Sequence, residues 1–385
     1  MAEGYRFVRH LRQRRKAEHI DAVRALPDGR FGPWFEYVHL IPASAPEYDW
    51  ADVDLSTTFC GRHLASPVLI NAMTGGTSAA LAINRRLARA ARRYGLAMAV
   101  GSSTAALEDP DVTPTYTVVR DEYPDGVVLA NVGMGTRLEA ARQAVALLRA
   151  DMLQVHWNAA QELFMVEGDR RFRGALAAFA TVARHVGVPV IAKEVGQGLS
   201  GEAARQFAQA GAAAVDVGGA GGTNFLAVES WRQGEVLDPA WAHWGIPTAA
   251  AVVEAVAAVG AQVDVVASGG IRHALDVAKA LALGAKVAGI AGPLLRLAAE
   301  PDGEARLDAY LAGLHRDLRR VLLLTGARTW TELRERPVLV LGPLREWLEA
   351  RGLGPVIALR GWFAEPGPAD RRSRAGPRTA ARGPD

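Results

Sequence analysis

The stretch Val263–Gly292, VDVVASGGIRHALDVAKALALGAKVAGIAG, restricts the fold more than any other part of the chain. Val263–Ala267 is a short apolar run of strand type, closed at once by Ser268, Gly269 and Gly270. A helical pattern follows from Ala274 to Leu283 and stops at Gly284. A second apolar run, Val287–Ile290, ends in Ala291 and Gly292. Strand, glycine turn, helix, strand, glycine turn is a βαβ unit with bare backbone N–H groups at two successive strand ends. Glycine lets the main chain approach a ligand closely, and a following helix N-terminus favours an anion.

The same alternation runs upstream. Val68–Asn71, Ala97–Val100, Val127–Ala130, Met152–Val155, Val188–Ala192 and Ala213–Val217 read as strands 1 to 6, with the two runs above as strands 7 and 8. Helices are expected over Ala79–Tyr94, Leu138–Arg149, Ala175–His185, Gly201–Ala210 and Pro247–Val259, the last opened by its proline. Near-continuous apolar strands fit a buried parallel sheet. Eight βα units over about 225 residues match a closed barrel better than a doubly wound sheet. The expected fold is therefore α/β, a (β/α)8 TIM barrel over residues 67–325 with an N-terminal extension, 1–66, covering it. A C-terminal helical extension, 326–365, and a disordered tail, 366–385, complete the chain. In the extensions, 31–46 reads as an extended segment packed under the barrel and Asp54–Phe59 as a strand outside the repeat. In such a barrel the turns after strands 7 and 8 commonly hold a phosphate. Glycine turns without a ligand are the plainer alternative, and their occurrence in tandem favours the phosphate.

Composition narrows the function classes. A net charge of +3 over 385 residues, with both signs interspersed, does not build a nucleic-acid surface. The single cysteine, Cys60, excludes an intrachain disulfide and suits a reducing cytoplasm. No apolar run reaches eighteen residues, so no membrane span is expected, and the N-terminus lacks a signal-peptide core.

Polar residues gather just past the strand ends, where barrel active sites lie. Lys193, at the end of a buried strand, needs an anionic partner: Glu194, Asp216, or a negatively charged cofactor ring. Asn71, Thr74, Ser102 and Asn131 are neutral hydrogen-bonding groups suited to a flat heterocycle. With a phosphate beyond strands 7 and 8, the ligand that fits is FMN. Loop 4 carries His156, Asn158, Gln161, Glu162, Glu167, Asp169 and Arg170. It lacks zinc spacing, but one carboxylate, Glu162, beside an anion suits Mg²⁺ held partly by substrate phosphates. A capping or salt-bridge role for Glu162 is equally consistent. Arg15, Lys16 and His19 belong to a solvated first helix or fold over the site; composition alone favours the former.

These motifs together resemble the type 2 isopentenyl-diphosphate isomerases, a family of FMN-dependent barrels. The resemblance rests on Arg15–Ile20 (RKAEHI), Asn71–Gly76 (NAMTGG), Leu153–Asn158 (LQVHWN) with Gln161 and Glu162, and Glu167–Arg170 (EGDR). Lys193–Gly196 (KEVG), Gly219–Thr223 (GAGGT), ASGGIR from Ala267, and Ala291–Gly292 complete it. It spans Arg15 to about Arg351, and the RKxEHI and QE…EGDR motifs are the specific part. It implies FMN contacts at Ala72, Met73, Thr74, Ser102, Asn131, Lys193, Thr223, Gly269, Gly270, Ala291 and Gly292. It implies substrate contacts at Arg15, Lys16, Ser102, Ser103, Thr104, His156, Asn158 and Gln161, with Gln161, His156 and Lys193 as the catalytic set and Glu162 on Mg²⁺. The implied reaction converts isopentenyl to dimethylallyl diphosphate in isoprenoid biosynthesis through a tertiary carbocation. Reduced FMN acts without net redox change, and NADPH serves only as the reductant that primes it. A homo-oligomer, tetramer or octamer, is expected.

Two positions depart from the family pattern. Loop 2 reads Gly101-Ser102-Ser103-Thr104, where many members carry Gln then Arg after the serine. Phe164-Met165-Val166-Glu167 lacks the usual proline, which is expected to loosen loop 4. The competing function is an FMN oxidoreductase of the 2-hydroxy-acid oxidase or dihydroorotate dehydrogenase type, for which Arg272 and His273 would form the base and its partner.

Overall fold

Eight parallel strands close on themselves: β1 (Val68–Ile70), β2 (Ala97–Ala99), β3 (Val128–Gly133), β4 (Met152–Trp157), β5 (Val190–Glu194), β6 (Ala214–Asp216), β7 (Asp264–Ser268) and β8 (Val287–Ile290). The ring is sealed where β8 pairs with β1, Gly289 opposite Leu69. The computed structural model describes residues 2–29 and 32–354, with side chains in the first helix from Arg14 onward. The expected tail, 366–385, and the end of the C-terminal extension lie outside the described residues.

Alternation along each strand sorts the core into two. Leu69, Ala97, Leu129, Met152, Ile191, Ala214, Val266 and Val287 face inward and fill the barrel. Their neighbours, such as Val68, Ile70, Val128, Ala130 and Val190, face outward against the helices. The Asp54–Phe59 region is a hairpin, Thr57–Phe59 paired with Arg62–Leu64, whose Phe59 and Leu64 join the interior cluster. The Cys60 N–H donates to Asp264 at the start of β7 (2.8 Å), so this hairpin is the barrel floor.

The N-terminal extension begins as helix α1 (Ala2–Ala25) and then runs past the glycine turns. Gly29 N–H donates to the Gly222 carbonyl (2.8 Å), and the Pro33 carbonyl accepts from Ala249 N–H (2.9 Å). Val38–Leu40 then pairs antiparallel with Val338–Val340 of the C-terminal extension, so this segment is tied to the outer wall by a two-stranded sheet. The C-terminal helix Gly342–Ala350 is fastened by the buried Glu254, which accepts from Trp347 Nε1 (2.9 Å) and Arg351 (3.0 Å).

Three strands reach further than the apolar runs suggest. β3 includes Asn131, β4 includes His156, and β5 includes Lys193 and Glu194. The pairs Asn131–Gln154, His156–Lys193 and Lys193–Asp216 are opposite in the ladder. Polar side chains ended the sequence pattern, but the ladder continues because backbone pairing does not depend on side-chain polarity. Helices at Pro114–Glu122, at α2 (Ala159–Phe164) and at α3 (Phe225–Arg232) lie in segments that read as connections.

Candidate active site

A trough crosses the C-terminal end of the barrel in two connected parts, which share Ala72, Met73, Lys193, Val195 and Phe225. The larger, about 980 Å³, is roofed by Arg15, Lys16, His19, Ile20 and Val23 of α1. Its floor and walls include Thr74, Ser102, Asn131, His156, Asn158, Gln161 and Glu162. The smaller, about 640 Å³, lies over the glycine turns, with Thr223, Gly269, Gly270, Ala291 and Gly292 in its wall. The first helix therefore folds over the site. Of the sequence candidates, Ser103 and Thr104 stand apart. Ser103 is fully buried and gives its N–H to the Asn131 carbonyl (2.7 Å), while Thr104 opens a helix and touches Ser102 Oγ (3.0 Å).

The smaller part is a backbone cradle. Gly269 and Gly270 have φ of 103° and 78°, conformations that only glycine adopts readily. A Cβ on Gly269 would strike the Gly219 main chain, and one on Gly222 would lie 2.6 Å from Gly270 N. Helix α4 (Gly292–Ala299) starts at the wall with no side-chain cap on its first N–H groups. Beside it, Asp28 bridges Arg272 (2.6 Å) and Arg296 (3.3 Å), and Arg272 also donates to the Gly270 and Gly221 carbonyls. His273 is exposed and caps the following helix in a box with Asp276.

Strand alternation places a polar layer directly above the apolar barrel interior. Asn71, Asn131, Gln154, Lys193, Asp216 and Ser268 each lie two residues beyond an inward apolar residue. Lys193 Nζ is 3.2 Å from Asp216 Oδ2 and also lines both parts of the trough. Lys193 thus makes a salt bridge within the fold, one of the partners expected for it, and also presents its cation to the cavity. Burial, assisted by the charges of Lys193, Lys16 and Arg15, pushes the His156 imidazole down to about 4, with a Val132 backbone contact opposing. His156 is neutral at physiological pH.

A second network fixes the far wall. The fully buried Glu229 of α3 accepts from Gln161 Nε2 (2.7 Å), lies 2.9 Å from His19 Nε2 and pairs with Arg232. Burial works against its charge, but hydrogen bonds from His19, Gln161 and Arg232 outweigh it and hold the carboxyl at about 2. Arg232 also pairs with Glu18 (3.0 Å) on α1 and Glu167 (2.8 Å) in loop 4. Loop 4 is therefore tied down despite its missing proline. Glu162 accepts from Asn158 Nδ2 (2.9 Å) and Asp169 N–H (2.8 Å), and Arg170 donates to the Met165 carbonyl (2.8 Å). Behind loop 2, the buried Tyr116 donates to the Ser102 carbonyl (2.7 Å) and meets Lys16 Nζ.

Sequence reasoning passed over Glu229, Arg232 and Tyr116, quoted Gln154 within the LQVHWN motif without giving it a role, and weighed Asp216 only as a partner for Lys193. A signal existed for Gln154 and Asp216: each is a polar residue inside an apolar strand run, where burial without a partner is costly. For Glu229 the sequence offered only an i,i+3 pairing with Arg232, an ordinary surface pattern on a helix; the partners that bury it, Gln161 and His19, lie 68 and 210 residues away.

The family model described as FMN-dependent dehydrogenase matches residues 137–339, over half of the chain. The isopentenyl-diphosphate delta-isomerase of Moorella thermoacetica is 49% identical over 340 residues, covering 88% of this chain and 97% of its own. The enzyme of that name from Symbiobacterium thermophilum is 49% identical over 352 residues, 89% and 96% of the two chains. The one from Methanothermobacter thermautotrophicus is 40% identical over 340 residues, 88% and 96%. Among solved structures, a lactate oxidase of Pediococcus acidilactici superposes with a TM-score of 0.64 at 16% identity, over 88% and 94% of the chains. A mandelate oxidase with a monooxide FMN adduct gives 0.58 at 20%, over 82% and 94%. These two share the fold. By the identity and coverage of its relatives, the chain belongs to the isopentenyl-diphosphate delta-isomerase family, within the FMN-dependent dehydrogenase barrels.

Proposed function

We propose that the protein isomerises isopentenyl diphosphate to dimethylallyl diphosphate with bound reduced FMN and Mg²⁺. The observation that carries this is the joining, in one trough, of a glycine cradle to a chamber that holds Gln161, Glu162, His156 and the α1 cations.

The residues fit the cofactor. The cradle is too narrow for side chains at Gly222 and Gly269, and the α4 N-terminus supplies backbone donors for a phosphate. Thr74 Oγ1, at the wall of the chamber, is buried without a protein hydrogen-bond partner. Ala72, Met73, Ser102, Asn131 and Lys193 would hold the ring system, and Thr223, Gly269, Gly270, Ala291 and Gly292 the phosphate end. Reduced FMN supplies an electron-rich face and a protonatable nitrogen against the reacting carbons. Glu162, a carboxylate lining the chamber, would hold Mg²⁺ together with substrate phosphate oxygens and water.

Arg15 and Lys16 lie over the chamber and would bind and orient the diphosphate, with Asn158 beside Glu162. Gln161 receives no proton of its own to move. Its Nε2 is committed to Glu229, and its carbonyl accepts from Asn158 Nδ2 (3.3 Å), so the amide is locked in one orientation. A locked neutral dipole near the alkene stabilises positive charge developing in the transition state without supplying a nucleophile. Lys193 would favour negative charge on the ring system it would help to hold. Ile20, Val23, Phe225 and Leu295 line the chamber with apolar surface and exclude water from a cationic intermediate.

A redox alternative finds no support in loop 7. Arg272 lines the smaller part but is spent on Asp28 and two carbonyls, and the exposed His273 lines neither part. We further infer NADPH as the priming reductant, a cytoplasmic setting and a homo-oligomer of four or eight chains. Burial pushes the Cys60 thiol up to about 12, which suits an inert residue. Phe164, Trp241 and Trp244 form an aromatic contact series, and Trp241 and Trp244 are exposed, as an assembly surface would require. No helix among the described residues is long and apolar enough to cross a membrane.

The test is anaerobic incubation with Mg²⁺, reduced FMN and isopentenyl diphosphate, followed by NMR. The allylic diphosphate should appear without stoichiometric consumption of NADPH. Consumption of one reductant per turnover, or no allylic product, counts against isomerisation.

A further inference from the structure

The polar layer above the barrel core contains a directed chain. We propose that Asp216, which lines neither part of the trough, is a positioning residue that fixes the ring tautomer of His156 through three buried amides.

The direction is forced from one end. An ionised carboxylate only accepts hydrogen bonds, so the side chain of Asn71, 2.7 Å from Asp216 Oδ2, must present its NH₂. The Ala72 N–H, 2.9 Å from Asn71 Oδ1, independently fixes the same orientation. Asn71 Oδ1 is then the acceptor for Gln154 Nε2 (3.0 Å). Gln154 therefore offers its carbonyl to Asn131 Nδ2 (3.2 Å). Asn131 is left with its own carbonyl facing His156 Nδ1 at 2.8 Å, and that contact requires a proton on Nδ1. Every link is buried: Asp216 and Gln154 are 0% exposed, Asn71 and Asn131 2%. No link can turn without opposing two acceptors or two donors in a dry interior, which costs about 1–3 kcal/mol per orphaned group.

Asp216 itself is saturated. It also receives Ser268 Oγ, the Gly218 N–H and Lys193. Gly289 leaves the room for this, since a Cβ there would sit 2.6 Å from Asn71 Nδ2. One carboxylate thus holds the cation at the cofactor end and orders the imidazole across the barrel.

The consequence is chemical. With Nδ1 protonated, Nε2 keeps its lone pair, and the neutral ring meets a ligand as an acceptor. It cannot donate to a diphosphate oxygen; that work falls to Arg15 and Lys16. This consequence rests on the reading of His156 as a wall of the substrate chamber, whereas the tautomer itself does not.

The test is a long-range ¹H–¹⁵N correlation spectrum of ¹⁵N-histidine-labelled full-length protein, with the His156 signals identified by their loss in His156→Asn. Wild type should show the Nδ1–H form, and an Nε2–H form overturns the proposal outright, whatever the variants do. Gln154→Leu cuts the chain while leaving Asp216, Asn71 and Lys193 in place. Its tautomer ratio should move toward Nε2–H by about fivefold, the worth of one neutral hydrogen bond. Adding Asn131→Asp to that variant supplies an acceptor that needs no chain, and should restore Nδ1–H. An unchanged ratio in Gln154→Leu would show that the ring is held locally, for example by the Val132 carbonyl, and not from Asp216. The spectrum reads the ring and not turnover. A correct tautomer in a protein without isomerase activity would thus retain the relay and remove the functional reading.

Discussion

Glu229→Gln tests the link between buried charge and the amide of Gln161. A carboxyl held at about 2 instead of 4.5 contributes about 3 kcal/mol of stability at neutral pH. Its folded value is depressed, so the contribution is complete above the unfolded value of 4.5 and is lost as pH falls toward 2. At pH 3 about half should remain. The variant keeps the shape but has no titrating group, so the gap in urea stability between wild type and variant should shrink from about 3 kcal/mol at pH 7 to about 1.5 at pH 3. Arg232 can only donate, so it takes the new carbonyl, and the new NH₂ is left facing Gln161 or His19. Against Gln161 it forces that amide to turn over, and turnover should fall on the order of a hundredfold while flavin is retained. A gap that stays constant between pH 7 and pH 3 would refute the assignment of Glu229 as the charged anchor.

Four further variants separate the parts of the trough. Gly269→Ala, at φ 103° and against the Gly219 main chain, should fold but elute colourless from gel filtration after flavin loading; a yellow protein means the cradle does not hold the phosphate. Lys193→Ala should lose FMN on a desalting column, since Asp216 retains its other donors but the ring loses its cation. Glu162→Gln should abolish Mg²⁺-dependent turnover with flavin content unchanged, and full activity would remove the metal role. Asp28→Asn weakens the bridge to Arg272 and Arg296. It should raise KM for the diphosphate and speed proteolysis within α1, without loss of flavin; an unchanged digestion pattern would show that α1 is docked by other contacts.

How much of this was legible follows from what kind of physics fixes each part. The barrel was, because eight apolar strand runs and their glycine stops are local signals. β8 falls at Val287–Ile290 as its residues suggest, and Gly269 and Gly270 announce a turn that no other residue could make. The motif residues of the trough were legible through resemblance, and their segments deliver most of them to its two connected parts. Ser103, assigned to the substrate through the resemblance, lines neither part: it is fully buried, with its N–H on the Asn131 carbonyl. Helix α3 and Glu229 were also hidden, because a carboxylate inside an ordinary amphipathic segment reads as solvated until distant partners are known.

The polar layer shows where the limit lies. Asn131 and His156 were read as loop residues, and Lys193 as the point where its strand ends, because each follows an apolar run, yet all three are within strands. Strand geometry then requires residues two apart to share a face. Leu129 and Asn131, Met152, Gln154 and His156, Ile191 and Lys193, and Ala214 and Asp216 all point into the barrel. Extending each apolar run by one inward position would have placed every member of the layer. What no single strand could reveal is the order of donors and acceptors across it. That order is set by the ring closing, with β7 and β8 standing between β6 and β1, so that Asp216 meets Asn71 over the interior, 145 residues away. Identity of the groups is local, but their hydrogen-bond direction belongs to the closed barrel.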